Sequence, residues 1–282
     1  MKQATVSANG LQFACVEEGD GPLVLLLHGF PDNALTWDRV MPGLAGAGYR
    51  AVAPFMRGYP PTEIPADGRF GPAVLGDDVV GLLGALGDGP AFVVGHDWGT
   101  TATYAALTRR PESVKRAVVI ANAHPAALPR IFEQPDLLHA VFHTWLFQLP
   151  GFAERALTVN DFALVDYLWQ LWSPGHEDVE HVKRVKQTLA APGAAGAALA
   201  YYRAFMQTPT DDPEFTQRSF QATTVPVLSI HGSNDALAPL AEGEEQHFEA
   251  EYRRELVEGA GHFVQRENPE RLTELILEWI SE

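Results

Sequence analysis

The chain has 282 residues and is poor in cysteine and in basic side chains. Cys15 is its one cysteine, so no disulfide can form within the chain and nothing indicates an oxidising compartment. Lys and Arg number 20 against 36 Asp and Glu, which gives a formal net charge of -16 at pH 7. A surface of this sign repels phosphate backbones and anionic lipid headgroups, so neither nucleic acid nor a membrane is expected as a partner.

Long hydrophobic runs are also absent. No stretch approaches the roughly 20 apolar residues that a membrane-spanning helix needs, and the first residues, M-K-Q-A-T-V-S-A-N-G, lack the apolar segment of a signal peptide. We therefore expect a cytoplasmic protein. Glycine-rich nucleotide motifs and H-E-x-x-H are missing, so no cofactor and no metal are expected. The sequence leaves the oligomeric state open.

What the sequence does contain is an alternation of short apolar runs with helical patterns near both ends. Such alternation predicts an α/β fold with a mostly parallel sheet flanked by helices. The predicted strands are 22–29, 50–55, 91–95, 115–122, 225–232 and 252–258, and the predicted helices are 33–47, 73–86, 99–109, 239–249 and 269–281.

The middle of the chain has a different character. Residues 125–220 have helical spacing, no convincing strand and many aromatic side chains. This segment is predicted to be a helical cap (lid) inserted into a core domain of residues 1–124 and 221–282. Ligands of open α/β sheets bind beyond the carboxyl ends of the strands, and the inserted cap would roof that crevice.

The segment V-V-G-H-D-W-G-T-T-A has the pattern Gly-x-Asp-x-Gly between a predicted strand and a predicted helix. A sharp turn there holds its central residue at positive φ and requires small neighbours, which Gly95 and Gly99 supply. Asp97 stands where acyl-transfer hydrolases have serine, and a serine esterase is excluded because no serine occupies such a turn. A carboxylate is ionised at neutral pH and can attack an sp³ carbon directly. Asp97 is therefore predicted to be a nucleophile that forms an ester.

That ester must be hydrolysed, which requires a base to activate water and donors to stabilise an oxyanion. His262, in G-A-G-H-F, follows the last predicted strand, and Asp235, in H-G-S-N-D, follows the preceding one. The order nucleophile, acid, histidine is the order known for this sheet architecture. The segment H-G-F-P follows a buried strand, and it predicts an oxyanion hole made by the backbone N–H groups of Phe30 and Trp98.

Together, H-G-F-P, G-H-D-W-G, the late Asp and the late His resemble the α/β-hydrolase superfamily over essentially the whole chain. Within it the sequence most resembles the epoxide hydrolases, with the haloalkane dehalogenases as close relatives. The resemblance implies an α/β-hydrolase fold and a reaction without a cofactor. An apolar epoxide would be converted to a vicinal diol through an ester on Asp97, which water activated by His262 would then hydrolyse.

The same resemblance implies two further catalytic residues in the cap. Epoxide hydrolases use two cap residues, usually tyrosines, to hold the epoxide oxygen. One of them precedes an arginine, and Y-Y-R here implies Tyr202, with its neighbour Tyr201 as the alternative. The other lies before an F-Q-x-P stretch, where this chain departs from the pattern and has His143. Neutral imidazole still donates one N–H, so His143 and Tyr202 are predicted to clamp the oxygen together.

The aromatic cap predicts an apolar pocket, and we expect Trp98, Phe30, Trp145 and Tyr201 to line it. Two other functions remain open. A haloalkane dehalogenase would use the same Asp–His–Asp set, but that branch usually has a polar residue where Phe30 stands. A small-molecule binding protein without activity would have no need of a pair that activates water.

Overall fold

The computed structural model describes residues 1–87, 89–133, 135–206 and 212–282. An eight-stranded sheet lies at its centre, with the strand order β1-β2-β4-β3-β5-β6-β7-β8. The two pairs β1–β2 and β2–β4 are antiparallel, and every other neighbouring pair is parallel. The strands are β1 Lys2–Ala8, β2 Leu11–Glu18, β3 Leu23–Leu27, β4 Arg50–Pro54, β5 Ala91–His96, β6 Val114–Ile120, β7 Val227–Gly232 and β8 Tyr252–Val257.

The apolar runs of the sequence form the strands that are covered on both faces. All residues of β3, β5 and β7 are buried, as expected for parallel strands with helices above and below them. The edge strand β8 instead carries Arg253, Arg254 and Glu255, which are partly exposed. Charges on an unpaired edge oppose association with another strand. All six predicted strands are present, and the predicted α/β fold class is confirmed.

The helices flank the sheet in two groups. Helix α2 packs along α3, while α1 contacts β4 and α11. The predicted helix 239–249 is wrong, because two 3-10 turns stand there, separated by Gly243 in a left-handed conformation with φ 73°. The helices are α1 Met41–Gly46, α2 Pro72–Leu86, α3 Trp98–Arg109, α4 Pro135–Ala140, α5 Phe142–Leu146, α6 Phe152–Trp172, α7 Val179–Ala190, α8 Ala194–Met206, α9 Pro213–Ser219, α10 Val264–Glu267 and α11 Pro269–Ser281.

The described part of the segment between β6 and β7 consists of helices and connecting loops, with a 3-10 helix at Pro125–Glu133 followed by α4 to α9. Helix α6 is interrupted by non-helical backbone from Val159 to Phe162. Buried polar contacts join α7 and its N-terminal cap to the sheet domain, namely His181 Nε2 to Asp32 Oδ1 at 2.7 Å and Arg266 Nη2 to Asp178 Oδ2 at 2.7 Å. In the described ranges, no helix has the length and apolar character required to cross a membrane.

Candidate active site

Asp97 occupies a tight turn between β5 and α3. Its φ of 53° and ψ of -112° are strained for a residue with a side chain. A Cβ at Gly95 would lie 2.2 Å from the carbonyl oxygen of Gly99, and a Cβ at Gly99 would lie 2.3 Å from that of Leu27. The pattern Gly-x-Asp-x-Gly therefore follows from the close approach of β5, α3 and β3, which projects the central carboxylate away from the sheet.

Backbone N–H groups contact this carboxylate. The N–H of Phe30 donates to Asp97 Oδ1 at 2.7 Å, and the N–H of Trp98 also interacts favourably with the carboxylate. Gly29 allows this approach, since a Cβ there would lie 2.2 Å from Oδ1. Burial raises the pKa of Asp97 above its ordinary value, while His262 and the two N–H groups partly oppose the rise. The predicted oxyanion donors thus contact the predicted nucleophile itself.

His262 lies between two carboxylates. Its Nδ1 donates to Asp235 Oδ2 at 3.2 Å, and its Nε2 is 3.9 Å from Asp97 Oδ2. The second distance is too long for a hydrogen bond, and within the described residues Nε2 has no hydrogen-bond partner. Burial alone would lower the pKa of His262, but Asp235 and then Asp97 raise it above its ordinary value. Burial alone would raise the pKa of Asp235, but His262 lowers it.

Two further buried histidines, His28 and His96, form hydrogen bonds with backbone groups near Asp97 and His262. His28 Nδ1 donates to the Gly29 carbonyl at 3.0 Å, and its Nε2 accepts from the N–H of Met56 at 3.0 Å. His96 Nε2 donates to the carbonyl of His262 at 3.0 Å. Burial is the main cause that lowers the pKa of His28 to about 4 and that of His96 to about 3. Both are neutral at pH 7 and act as fixed hydrogen-bonding groups.

A cavity of about 890 Å³ brings the predicted catalytic side chains together. It lies between the sheet domain and the helical segment that follows β6, and its wall is largely apolar. Two of the four predicted lining residues, Trp98 and Trp145, belong to this wall. The chemically active side chains among its lining are Asp97, His143, Tyr202, Asp235 and His262.

Tyr202 on α8 and His143 on α5 form a pair at this cavity. Their ring centroids are 5.1 Å apart, and His143 Nδ1 is buried without a hydrogen-bond partner among the described residues. The Tyr202 hydroxyl likewise makes no hydrogen bond of ordinary geometry there, although the nearby Trp98 side chain opposes part of the rise in its pKa. Burial, then the Asp97 charge, raises the pKa of Tyr202 well above 10, and burial, then His262, lowers the pKa of His143 to about 3.

Two predicted lining residues do not contact the cavity. The Phe30 ring is fully buried, within 5.4 Å of the ring centroids of Phe147 and Tyr202. Tyr201 is fully buried as well, and its hydroxyl donates to the carbonyl of Arg57 at 2.7 Å. Phe30 therefore contributes its N–H and not its side chain, and Tyr201 anchors α8 to the sheet domain. The interpretation of both as pocket residues was wrong.

The sequence interpretation assigned no role to Trp172 or Glu267. Trp172 lines the cavity, with its ring centroid 5.1 Å from that of His262 and 4.8 Å from that of His143. Glu267 accepts two backbone hydrogen bonds from the loop that carries His262. A tryptophan in an aromatic helix is indistinguishable from a core residue in sequence, and no local pattern marks Glu267.

Similarity to known proteins indicates the family of this chain. The α/β-hydrolase fold family matches residues 22–269. The chain is 32% identical to the AB hydrolase superfamily protein YfhM of Bacillus subtilis over 98% of this chain and 96% of that protein. It is 29% identical to Epoxide hydrolase 3 of Xenopus tropicalis over 97% of this chain and 76% of that protein. The solved structure of an epoxide hydrolase from Vigna radiata has a TM-score of 0.81 at 27% identity and covers 99% of this chain and 98% of that one.

The family match spans most of the chain, and the full-length relative above 30% identity carries the same family name. The predicted resemblance to the α/β-hydrolase superfamily, with epoxide hydrolases among the relatives, is confirmed. The chain belongs to the α/β-hydrolase fold family and is a hydrolase.

Proposed function

We propose that this hydrolase converts an apolar epoxide to a vicinal diol through an ester on Asp97. The observation that carries the proposal is that one cavity brings together the Asp97 carboxylate, His262 and two donors, His143 and Tyr202, that have no hydrogen-bond partner among the described residues. A buried polar group without a partner costs about 1–3 kcal/mol, and an epoxide oxygen between the two donors would satisfy both. In this proposal residues 125–220 are the cap, and residues 1–124 and 221–282 are the core.

Ring opening would use the free oxygen of the nucleophile. Since Asp97 Oδ1 is held by the Phe30 N–H, Oδ2 attacks a ring carbon and the bond from that carbon to the epoxide oxygen breaks. The oxygen takes a proton from Tyr202 while the N–H of neutral His143 stabilises it. A tyrosine with a raised pKa keeps its proton until this step, and a histidine with a pKa of about 3 donates without being charged.

Hydrolysis of the ester would then use His262 and the backbone N–H groups that contact Asp97. His262 Nε2 takes a proton from water, and the hydroxide attacks the ester carbonyl carbon, whose oxygen is stabilised by the N–H groups of Phe30 and Trp98. When the tetrahedral intermediate collapses, the alkoxide leaves and receives the proton from His262. The carboxylic acid on Asp97 returns its proton to the phenolate of Tyr202, so epoxide and water give diol and the resting enzyme.

The covalent ester is the species to test. Without the base it should accumulate, so His262→Gln is exposed separately to styrene oxide and to a bromoalkane and analysed by intact-protein mass spectrometry. A gain equal to the whole epoxide, absent in His262→Gln with Asp97→Asn added, supports the proposal. A gain equal to the alkyl group with loss of bromide, and none from the epoxide, would assign the protein to the dehalogenases. No adduct from a broad panel of epoxides would favour a binding protein.

The clamp is tested by removing each donor in turn. His143→Phe and Tyr202→Phe keep an aromatic ring but remove the polar atom, and Tyr167→Phe is the matched control because its side chain is exposed on α6 and does not line the cavity. We expect slower ring opening for the first two and little change for the control. Full activity of His143→Phe beside a nearly inactive Tyr202→Phe would contradict the role of His143.

A further inference from the structure

We propose that Glu267 is a positioning residue for the base, and that it links the loop of His262 to the end of helix α6 through Ser173. The inference rests on the proposed function, since the direction of the imidazole matters to the reaction only if His262 activates water. Glu267 does not line the cavity, so it would act through His262 and not on the substrate.

One carboxylate holds the chain on both sides of the base. Glu267 Oε2 accepts from the N–H of Gly261 at 2.8 Å, and Oε1 accepts from the N–H of Phe263 at 3.0 Å. The N–H between them, that of His262, donates to the carbonyl of Trp172 at 2.9 Å. Three consecutive N–H groups are thus fixed, two of them by charge-assisted bonds, and this fixes the peptide planes from which the imidazole projects.

The same carboxylate is bonded to the helical segment. The hydroxyl of Ser173, which follows α6 and is fully buried, donates to Glu267 Oε1 at 2.6 Å. The backbones also meet directly, because a Cβ at Gly261 would lie 2.5 Å from the carbonyl oxygen of Trp172. The end of α6 and the loop of the base therefore form one joint. A displacement of α6 would be transmitted to His262.

This joint lies between the two halves of the proposed chemistry. The indole of Trp172 contacts the rings of His262 and His143, and its Nε1 donates to the carbonyl of Ala140, two residues before α5 begins. The base His262 and the oxygen donor His143 are thus both packed against Trp172 at the end of α6. Displacement of a reacting group by about 1 Å can cost about 100-fold in rate. The joint therefore affects the rate of ester hydrolysis through the position of His262 Nε2, which lies 3.9 Å from Asp97 Oδ2.

The test replaces Glu267 with glutamine. Glu267→Gln keeps the shape but provides one acceptor oxygen, so one of the two N–H groups loses its partner. Glu270→Gln, on the exposed face of the first turn of α11, is the control for a change of net charge. Ser173→Ala removes the bond from the Ser173 hydroxyl to Glu267 and the longer bond, of 3.3 Å, from the Phe263 N–H to Ser173 Oγ, while Glu267 keeps its bonds to both backbone N–H groups. Circular dichroism melting curves verify that each variant is folded.

Two measurements decide the proposal. Ester decay after a single turnover of styrene oxide is followed by quenched-flow mass spectrometry, at a pH where the imidazole is neutral in every variant. We expect decay to slow by about 10- to 100-fold in Glu267→Gln, to slow less in Ser173→Ala, and to stay unchanged in Glu270→Gln, while ester formation stays within about threefold. The imidazole titration of His262, followed by ¹⁵N NMR without substrate, should move to lower pH in Glu267→Gln, because the Glu267 charge contributes to its raised pKa.

Unchanged titration and unchanged ester decay in Glu267→Gln would overturn the proposal, and so would changes of equal size in Glu270→Gln. The titration requires no substrate. It therefore tests the contact between Glu267 and His262 even if the wild-type protein forms no ester from any epoxide, a result that would refute the proposed function instead.

Discussion

Replacement of Asp235 by asparagine removes the charge that faces the base and keeps the size of the side chain. In the wild-type protein, Asp235 Oδ2 accepts from His262 Nδ1 at 3.2 Å, and both residues are buried. In the proposed reaction, this bond leaves His262 Nε2 free to accept a proton from water. It also stabilises the imidazolium that forms when the proton arrives. Ester hydrolysis should therefore depend strongly on this carboxylate, and ring opening by Asp97 should not.

The size of the effect has two parts. A hydrogen bond to a charged group contributes about 1.5–3 kcal/mol, and about 1.4 kcal/mol corresponds to a tenfold change in rate, so loss of the charge slows hydrolysis by roughly 10- to 150-fold. The asparagine amide can also donate to His262 Nδ1, which moves the imidazole proton to Nε2. In a histidine base oriented by aspartate, that tautomer costs on the order of 10⁴ in kcat. We expect Asp235→Asn to hydrolyse its ester between about 100- and 10,000-fold more slowly.

The assay is a single turnover of styrene oxide with excess enzyme, quenched at intervals and analysed by intact-protein mass spectrometry. Ester should form at nearly the wild-type rate and then persist, while wild-type ester decays. Asp235→Glu keeps the charge and is the comparison for altered geometry. If ester formation and ester decay slowed by the same factor in Asp235→Asn, or if neither changed, the assignment of Asp235 to water activation would be refuted.

Three other changes test separate parts of the structure. Gly29→Ala places a Cβ 2.2 Å from Asp97 Oδ1, so stopped-flow ring opening should slow at least about 100-fold. Gly84→Ala, whose Cβ meets nothing within 4 Å, should leave it unchanged. Asp78→Asn breaks a buried ion pair with Arg57, and urea denaturation should show a loss of about 3–5 kcal/mol in the free energy of unfolding; a loss below about 1 kcal/mol would contradict this. Single-turnover ester hydrolysis should rise with pH through the raised pKa of His262, which must be neutral to act. Ring opening, which needs the proton of Tyr202, should stay level up to about pH 9, because the pKa of Tyr202 is well above 10; a fall in the ring-opening rate below that pH would contradict the assignment.

The parallel part of the sheet could be predicted because its strands are buried on both faces and read as continuous apolar runs. The hairpin of β1 and β2 was missed because its residues alternate between exposed and covered positions. Its signal was present in the dipeptide Asn9-Gly10, whose φ values of 43° and 76° are those that a two-residue hairpin turn demands. Local turn chemistry would have found these strands where hydrophobic runs could not.

The proposed nucleophile Asp97, base His262 and acid Asp235 are encoded locally, since each stands in a short glycine-containing loop after a strand. Their prediction from the sequence needed only the order of the strands. The other residues of the site lie on helices, and their positions depend instead on packing between segments that are distant in the sequence. Glu267 illustrates this, because its partner Ser173 is 94 residues away in the chain and becomes a neighbour only when α6 reaches the loop of the base.

The two adjacent tyrosines of α8 show how such packing assigns a role. Neighbouring residues on a helix point about 100° apart, so only one of the pair can face the cavity squarely. Arg57 is buried and held by two bonds to Asp78, and its fixed carbonyl accepts the hydroxyl of Tyr201. That bond holds Tyr201 against the sheet domain, while Tyr202 lines the cavity together with Asp97. The choice between Tyr201 and Tyr202 is therefore made by an ion pair in the sheet domain, remote in sequence from both.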